Sequence, residues 1–144
     1  MRILGFLLIA GVVLTASVSL AQQSPFQPVG TMSQLMVDII YPTSDDLFYI
    51  GRTPPSNDRE WGVIERSALM LAEAGNLLMM PGRARDQGDW IKDSKMLVDA
   101  GTAAFKAARA KDMDAILALN DQLVVSCTTC HMQYRPNYLS DLLQ

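Results

Sequence analysis

Histidine is almost missing from this 144-residue chain: there is one, His131, and cysteine occurs twice, at Cys127 and Cys130. A structural zinc site wants four nitrogen or sulfur ligands, so these three residues fall short of one. A catalytic base of the usual kind has a single candidate, and no nucleophile–base pair stands out around it. The chain does not read as an enzyme. Basic clusters are also lacking. The formal net charge is −3, one unit more negative if Arg2 is removed with a leader. Nothing in that distribution would hold nucleic acid or an anionic membrane. Strand-like alternation, internal repeats and low-complexity segments are absent too.

One long apolar run exists, and it lies at the N-terminus. Arg2 precedes residues 3–14, apolar except for Gly5 and Gly11, and small residues stand at Ser19 and Ala21 ahead of the polar Gln22, Gln23 and Ser24. This is the pattern of a secretory signal peptide, residues 1–21, cleaved near Ala21. The rival reading is an uncleaved anchor, since the uncharged run approaches the roughly 18–20 residues of a membrane span. With cleavage the protein is exported to the periplasm, has no membrane attachment, and consists of one domain, residues 22–144.

After a polar, proline-containing stretch to Gly30, the spacing of apolar residues is helical throughout. Met32, Leu35, Met36, Ile39 and Ile40 share a face, which Thr43, Leu47 and Ile50 continue beyond Pro42. That predicts one helix, kinked or briefly broken at Pro42, stopping at Gly51. Asn57 and Glu60 have capping-box spacing ahead of a second helix that ends at Pro81 and Gly82. Its inner face is Trp61, Ile64, Ala68, Leu71, Ala72, Gly75 and Leu78. A third helix over residues 87–110 turns Trp90, Leu97, Gly101, Ala104 and Ala108 inward. Asp112 caps a fourth, which carries Ile116, Leu119, Leu123 and Val124 into the cysteine pair and closes at Pro136. Four helices with short turns predict an all-α antiparallel four-helix bundle. Gly75, Gly101 and Ala104 imply either close helix packing or room for a cofactor.

Cys127 and Cys130 are three apart, with His131 adjacent. A disulfide here would close a tiny loop and gain little chain entropy. A thioredoxin-like dithiol belongs at a helix start after a strand, whereas this pair sits late in a helix. Cys-x-x-Cys-His is the sequence that binds haem covalently. On a helix the two thiols and the imidazole point to one side, the thiols for two vinyl groups and His131 for the iron. One haem c is therefore expected, attached near the C-terminal end of the last helix. With one histidine, bis-histidine ligation within the chain is excluded. Met36, or Met32 four residues earlier on the same face, is the candidate distal ligand. The competing assignment for both is ordinary core packing.

Cys127, Cys130, His131, Tyr134 and Arg135 form Cys-x-x-Cys-His-x-x-Tyr-Arg. This resembles the C-terminal signature of the cytochrome c prime superfamily, the class II c-type cytochromes, as a divergent branch. The resemblance implies a four-helix bundle with haem on its last helix. It also implies single-electron transfer when a first-helix methionine fills the distal position, with a redox protein as partner. The alternative it implies is a five-coordinate site that binds NO or CO, and it leaves a homodimer open. The stretch Gly30, Thr31, Met32, Ser33, Gln34, Leu35, Met36 lacks the family's first-helix basic residue, and Pro42 is a second departure. Arg135 is expected to contact a haem propionate or the proximal face, or else only to complement the helix dipole. Arg83 and Arg85 are weaker propionate candidates.

Overall fold

The computed structural model describes residues 25–138. The expected leader and its cleavage point lie outside them. Pro42 shapes the first helical stretch. It has no N–H to give, and its ring would strike the carbonyl four residues earlier in a regular α-helix. The chain widens instead. A short α1 (Met32–Gln34) passes into a π-helical turn (Leu35–Ile40) and then α2 (Tyr41–Phe48). The Tyr41 N–H reaches the Met36 carbonyl, five residues back. Thr43 Oγ1 donates to the Ile39 carbonyl at 2.7 Å, so a side chain meets an acceptor that the distorted ladder exposes. The expected kink or break at Pro42 is thus a π turn just upstream of it, with helix continuing through. Thr31 starts the stretch with a capping box to Gln34.

Asn57 caps α3 (Asp58–Leu78), accepting from the Glu60 N–H at 3.0 Å. The Glu60 carboxylate reaches past Asn57 to the Ser56 N–H at 2.7 Å. Every expected inner residue of α3 is buried except Trp61, which is half-buried. In α4 (Asp89–Ala110) all five expected residues are buried. Met79 ends α3, and Gly82 turns the chain at φ +87, where a side chain would be strained.

The small residues serve close packing of α3 on α4. A Cβ on Gly101 would stand 2.6 Å from the Ala72 backbone nitrogen, and one on Gly75 2.6 Å from Val98 Cγ2. Backbone cannot yield as a side-chain tip does. Gly101→Ala is therefore expected to force the helices apart, despite the roughly 1 kcal/mol of helix propensity that alanine offers. We expect a net loss of about 2 kcal/mol. A thermal melt would register this as a fall on the order of 10 °C. An unchanged melt would mean that the helices are not in register there.

Asp112 caps the next helix as expected, taking the Ala115 N–H at 2.9 Å. That helix is short, however: α5 (Met113–Leu117) ends, and α6 (Asn120–Tyr134) begins after a gap of two residues. The predicted single fourth helix is broken. Asn120 and Asp121 are weak helix formers that suit a first turn. The break lets Ile116 and Leu123 both reach full burial. It also re-sets the inner face of α6 to Leu123, Ser126 and Cys130. Val124, expected inside, is consequently 46% exposed.

The whole is a helical bundle with no strand among the described residues. α4 packs against both α3 and α6, and α2 lies on α3. No helix among the described residues is long and apolar enough to cross a membrane.

Candidate functional site

The last turns of α6 carry Cys127, Cys130 and His131. Ser126 Oγ donates to the Leu123 carbonyl at 2.8 Å and Thr128 Oγ1 to the Val124 carbonyl at 2.9 Å, so the hydroxyls on either side of Cys127 turn back onto their own helix. Cys130 is 8% exposed, while Cys127 and His131 are half-buried. Both thiols are free.

Burial governs their protonation. It pushes the Cys127 thiol up, and it pushes Cys130, with help from the Asp93 carboxylate, up to about 11. A redox dithiol needs the opposite shift, toward thiolate. Burial also lowers His131, and the Arg135 guanidinium lowers it further. A neutral imidazole keeps a lone pair for a metal. Among the described residues no three of His, Cys, Asp and Glu gather to hold a bare ion.

A cleft of about 460 Å³ opens in front of this turn. Cys130, His131, Tyr134 and Arg135 form one wall, and Met32, Ser33, Met36 and Val37 stand on the α1–π stretch. Trp90 and Arg85 complete it. Its volume falls in the range of about 300–1,000 Å³ typical of cofactor sites. Adjoining it is a smaller, partly open inner cavity of about 40 Å³, lined in part by Cys127, Cys130, His131 and again Met36. Met36, Cys130 and His131 line both spaces; Met32 lines only the outer one. The π turn is what places Met36, because its carbonyl bonds five residues ahead and its side chain is offset from α-helical register.

The floor of the cleft is braced. The Tyr134 hydroxyl donates to the Asp86 carboxylate, which also accepts from the Gly88 and Trp90 N–H groups. That bond holds Asp86 below the usual carboxylate range and pushes Tyr134 up to about 12. The Trp90 ring meets Tyr134 edge-on at 4.9 Å, and its Nε1–H bonds the Leu78 carbonyl at 2.8 Å. Three elements therefore meet one turn beyond His131.

Charge at the mouth comes from Arg85 and Arg135, both exposed. Arg83 is engaged elsewhere. It donates to the Gly30 carbonyl at 3.2 Å and the Leu77 carbonyl at 3.5 Å, so it fastens the start of the fold to the end of α3. A second cleft of about 430 Å³, lined by Leu35, Ile39 and Leu77 among others, holds Arg83 alone of the expected site residues.

Two α4 residues that the sequence reading passed over belong to the inner cavity, Asp93 and Ser94, as does Ser126 of α6. The signal for the α4 pair was available. They stand three and four positions after Trp90, on the face that also carries Leu97, where a polar pair is out of place. No family model matches the chain, and no curated protein or solved structure matches it.

Proposed function

We propose that this chain is an exported c-type cytochrome, a divergent relative of the class II type, built as an antiparallel four-helix bundle and transferring single electrons in the periplasm. The observation that carries the reading is the convergence of Met36 with Cys130 and His131 on both cavities, from two separate elements.

The residues fit one haem c. Cys127 and Cys130 would hold it through two thioether bonds, and His131 would supply the proximal nitrogen in its neutral form. Met36 would offer a thioether sulfur from the opposite element, with Met32 as the lesser alternative. Arg85 and Arg135 would give the propionates a cationic rim. When bound, the haem supplies a one-electron iron couple whose potential the protein sets by axial ligand, burial and nearby charge. Trp90 and the Tyr134–Asp86 bond would keep the proximal turn in place between oxidation states. The partner would be another redox protein. A homodimer is compatible with the resemblance.

The test is a potentiometric titration of the native exported protein, followed in the visible spectrum. One reversible one-electron step, low-spin at both ends, is the expected result. A high-spin spectrum that already responds to CO would favour the gas-binding alternative.

A further inference from the structure

Pro136 ends α6, and it also decides what the chain does next. Its ring keeps Arg135 out of the helical region, at φ −98 and ψ 110. Asn137 follows with a φ of +64, in the left-handed region that asparagine enters more readily than most residues. The Tyr138 N–H then returns to the Arg135 carbonyl at 3.3 Å. Proline in second place and a positive φ in third are the marks of a type II turn over Arg135, Pro136, Asn137 and Tyr138. The turn folds the chain back on the helix it has just left.

Tyr138 is thereby brought to His131. The two rings meet at 5.3 Å between centroids, with their planes 73° apart. The Arg135 guanidinium stands 5.5 Å from the centre of the Tyr138 ring, so a cation holds the tyrosine as well. His131 and Arg135 line the cleft assigned to the haem, whereas Tyr138 lines neither that cleft nor the inner cavity. It therefore meets a part of the imidazole that the haem space does not claim. Tyr138 is half-buried and lies outside the core cluster, so the contact is not part of the packing that holds the bundle together.

We infer that Tyr138 is a positioning residue for His131, covering the ring N–H that metal ligation leaves over and keeping water from it. The inference rests on the cytochrome reading. With one imidazole nitrogen facing an iron in the cleft, the other points out of the cleft, to the side where Tyr138 stands. A ligating histidine almost always gives that second N–H to a carboxylate, carbonyl or water, which makes the imidazole a stronger donor. An aromatic ring is a much weaker acceptor. Under Tyr138 the imidazole donates less to the iron than a hydrated one would. That favours reduced iron, in the same direction as a thioether on the opposite side.

The test compares the native exported protein with variants of the turn. In proton NMR of the reduced protein, the His131 ring N–H should exchange slowly with solvent. Tyr138→Ala should speed that exchange on the order of tenfold, as loss of a protecting contact does. It should also shift the electron-exchange equilibrium about threefold toward the oxidised form, which is about 28 mV at 59 mV per tenfold. Tyr138→Phe keeps the ring and should match the wild type in both. Asn137→Val resists a positive φ and should behave like Tyr138→Ala with the tyrosine still present. Asn137→Gly accepts that φ and should behave like the wild type. Covalent haem should persist in all four. Exchange and potential unchanged in Tyr138→Ala, or altered as much in Tyr138→Phe, overturn the inference. If Tyr138→Ala fails to fold, the two Asn137 variants decide by the same readouts. An unmoved Tyr138→Ala with haem in place sinks this inference alone, whereas a chain without haem on Cys127 and Cys130 sinks the cytochrome reading beneath it as well.

Discussion

Met36→Ala is expected to convert the oxidised protein from low-spin to high-spin and to create CO binding in the reduced form, where the wild type has none. Met32 stands on α1 and Met36 in the π turn, four residues on, so the two side chains sit at different heights along the stretch. On the proposed reading, only one could stand over an iron that His131, Cys127 and Cys130 would hold from α6. Met36 is the one that shares both cavities with Cys130 and His131. Its loss should also lower the potential, because thioether ligation favours reduced iron. The weak near-infrared band of thioether–iron coordination should vanish. Met32→Ala should leave the spectrum close to wild type, since Met32 lines the outer cleft but not the inner cavity. If Met32→Ala produces the spin change and Met36→Ala does not, the assignment is reversed. If neither changes a spectrum that is high-spin from the start, the open-site reading takes over.

The second large effect concerns attachment. Exported protein carrying Cys127→Ala and Cys130→Ala together should lose haem completely on extraction with acidified organic solvent, whereas the wild type should retain it. The reason is chemical and all-or-none. Two thioether bonds survive denaturation, but an axial His131 bond does not outlast protonation of the imidazole. The depleted variant should also melt earlier, because a cleft of about 460 Å³ would then lack its filling. Retention of haem through extraction by the double variant would place the covalent link on other residues.

Much of the frame was legible because local rules and tertiary packing agree there. The inner faces of α3 and α4 follow a plain helical period, and Ile64, Leu71, Leu78, Trp90 and Leu97 are buried where that period puts them. Asn57 and Asp112 cap where their spacing says they should. The rest depended on contacts between elements. Pro42 announced a disturbance, but whether the chain breaks, kinks or widens depends on what lies upstream, and the π turn at Leu35–Ile40 has no sequence mark of its own. The interruption at Ala118 and Leu119 was hidden by continuous apolar spacing, and it rotated Val124 out to solvent. The motif alone singled out Cys127, Cys130 and His131 as candidates. That Met36 reaches the same cavities from another element was only a possibility until the fold brought them together. Asp93 and Ser94 were overlooked because polar residues on a helix are normally assigned to its outer face.

The most direct test of the account is an intact mass of the native exported protein under denaturing conditions, followed by peptide mapping. The account predicts one haem adduct on the peptide that carries Cys127 and Cys130, on a chain that begins at Gln22. Two cysteines that are free or bridged to each other, with no haem on the peptide, would contradict it.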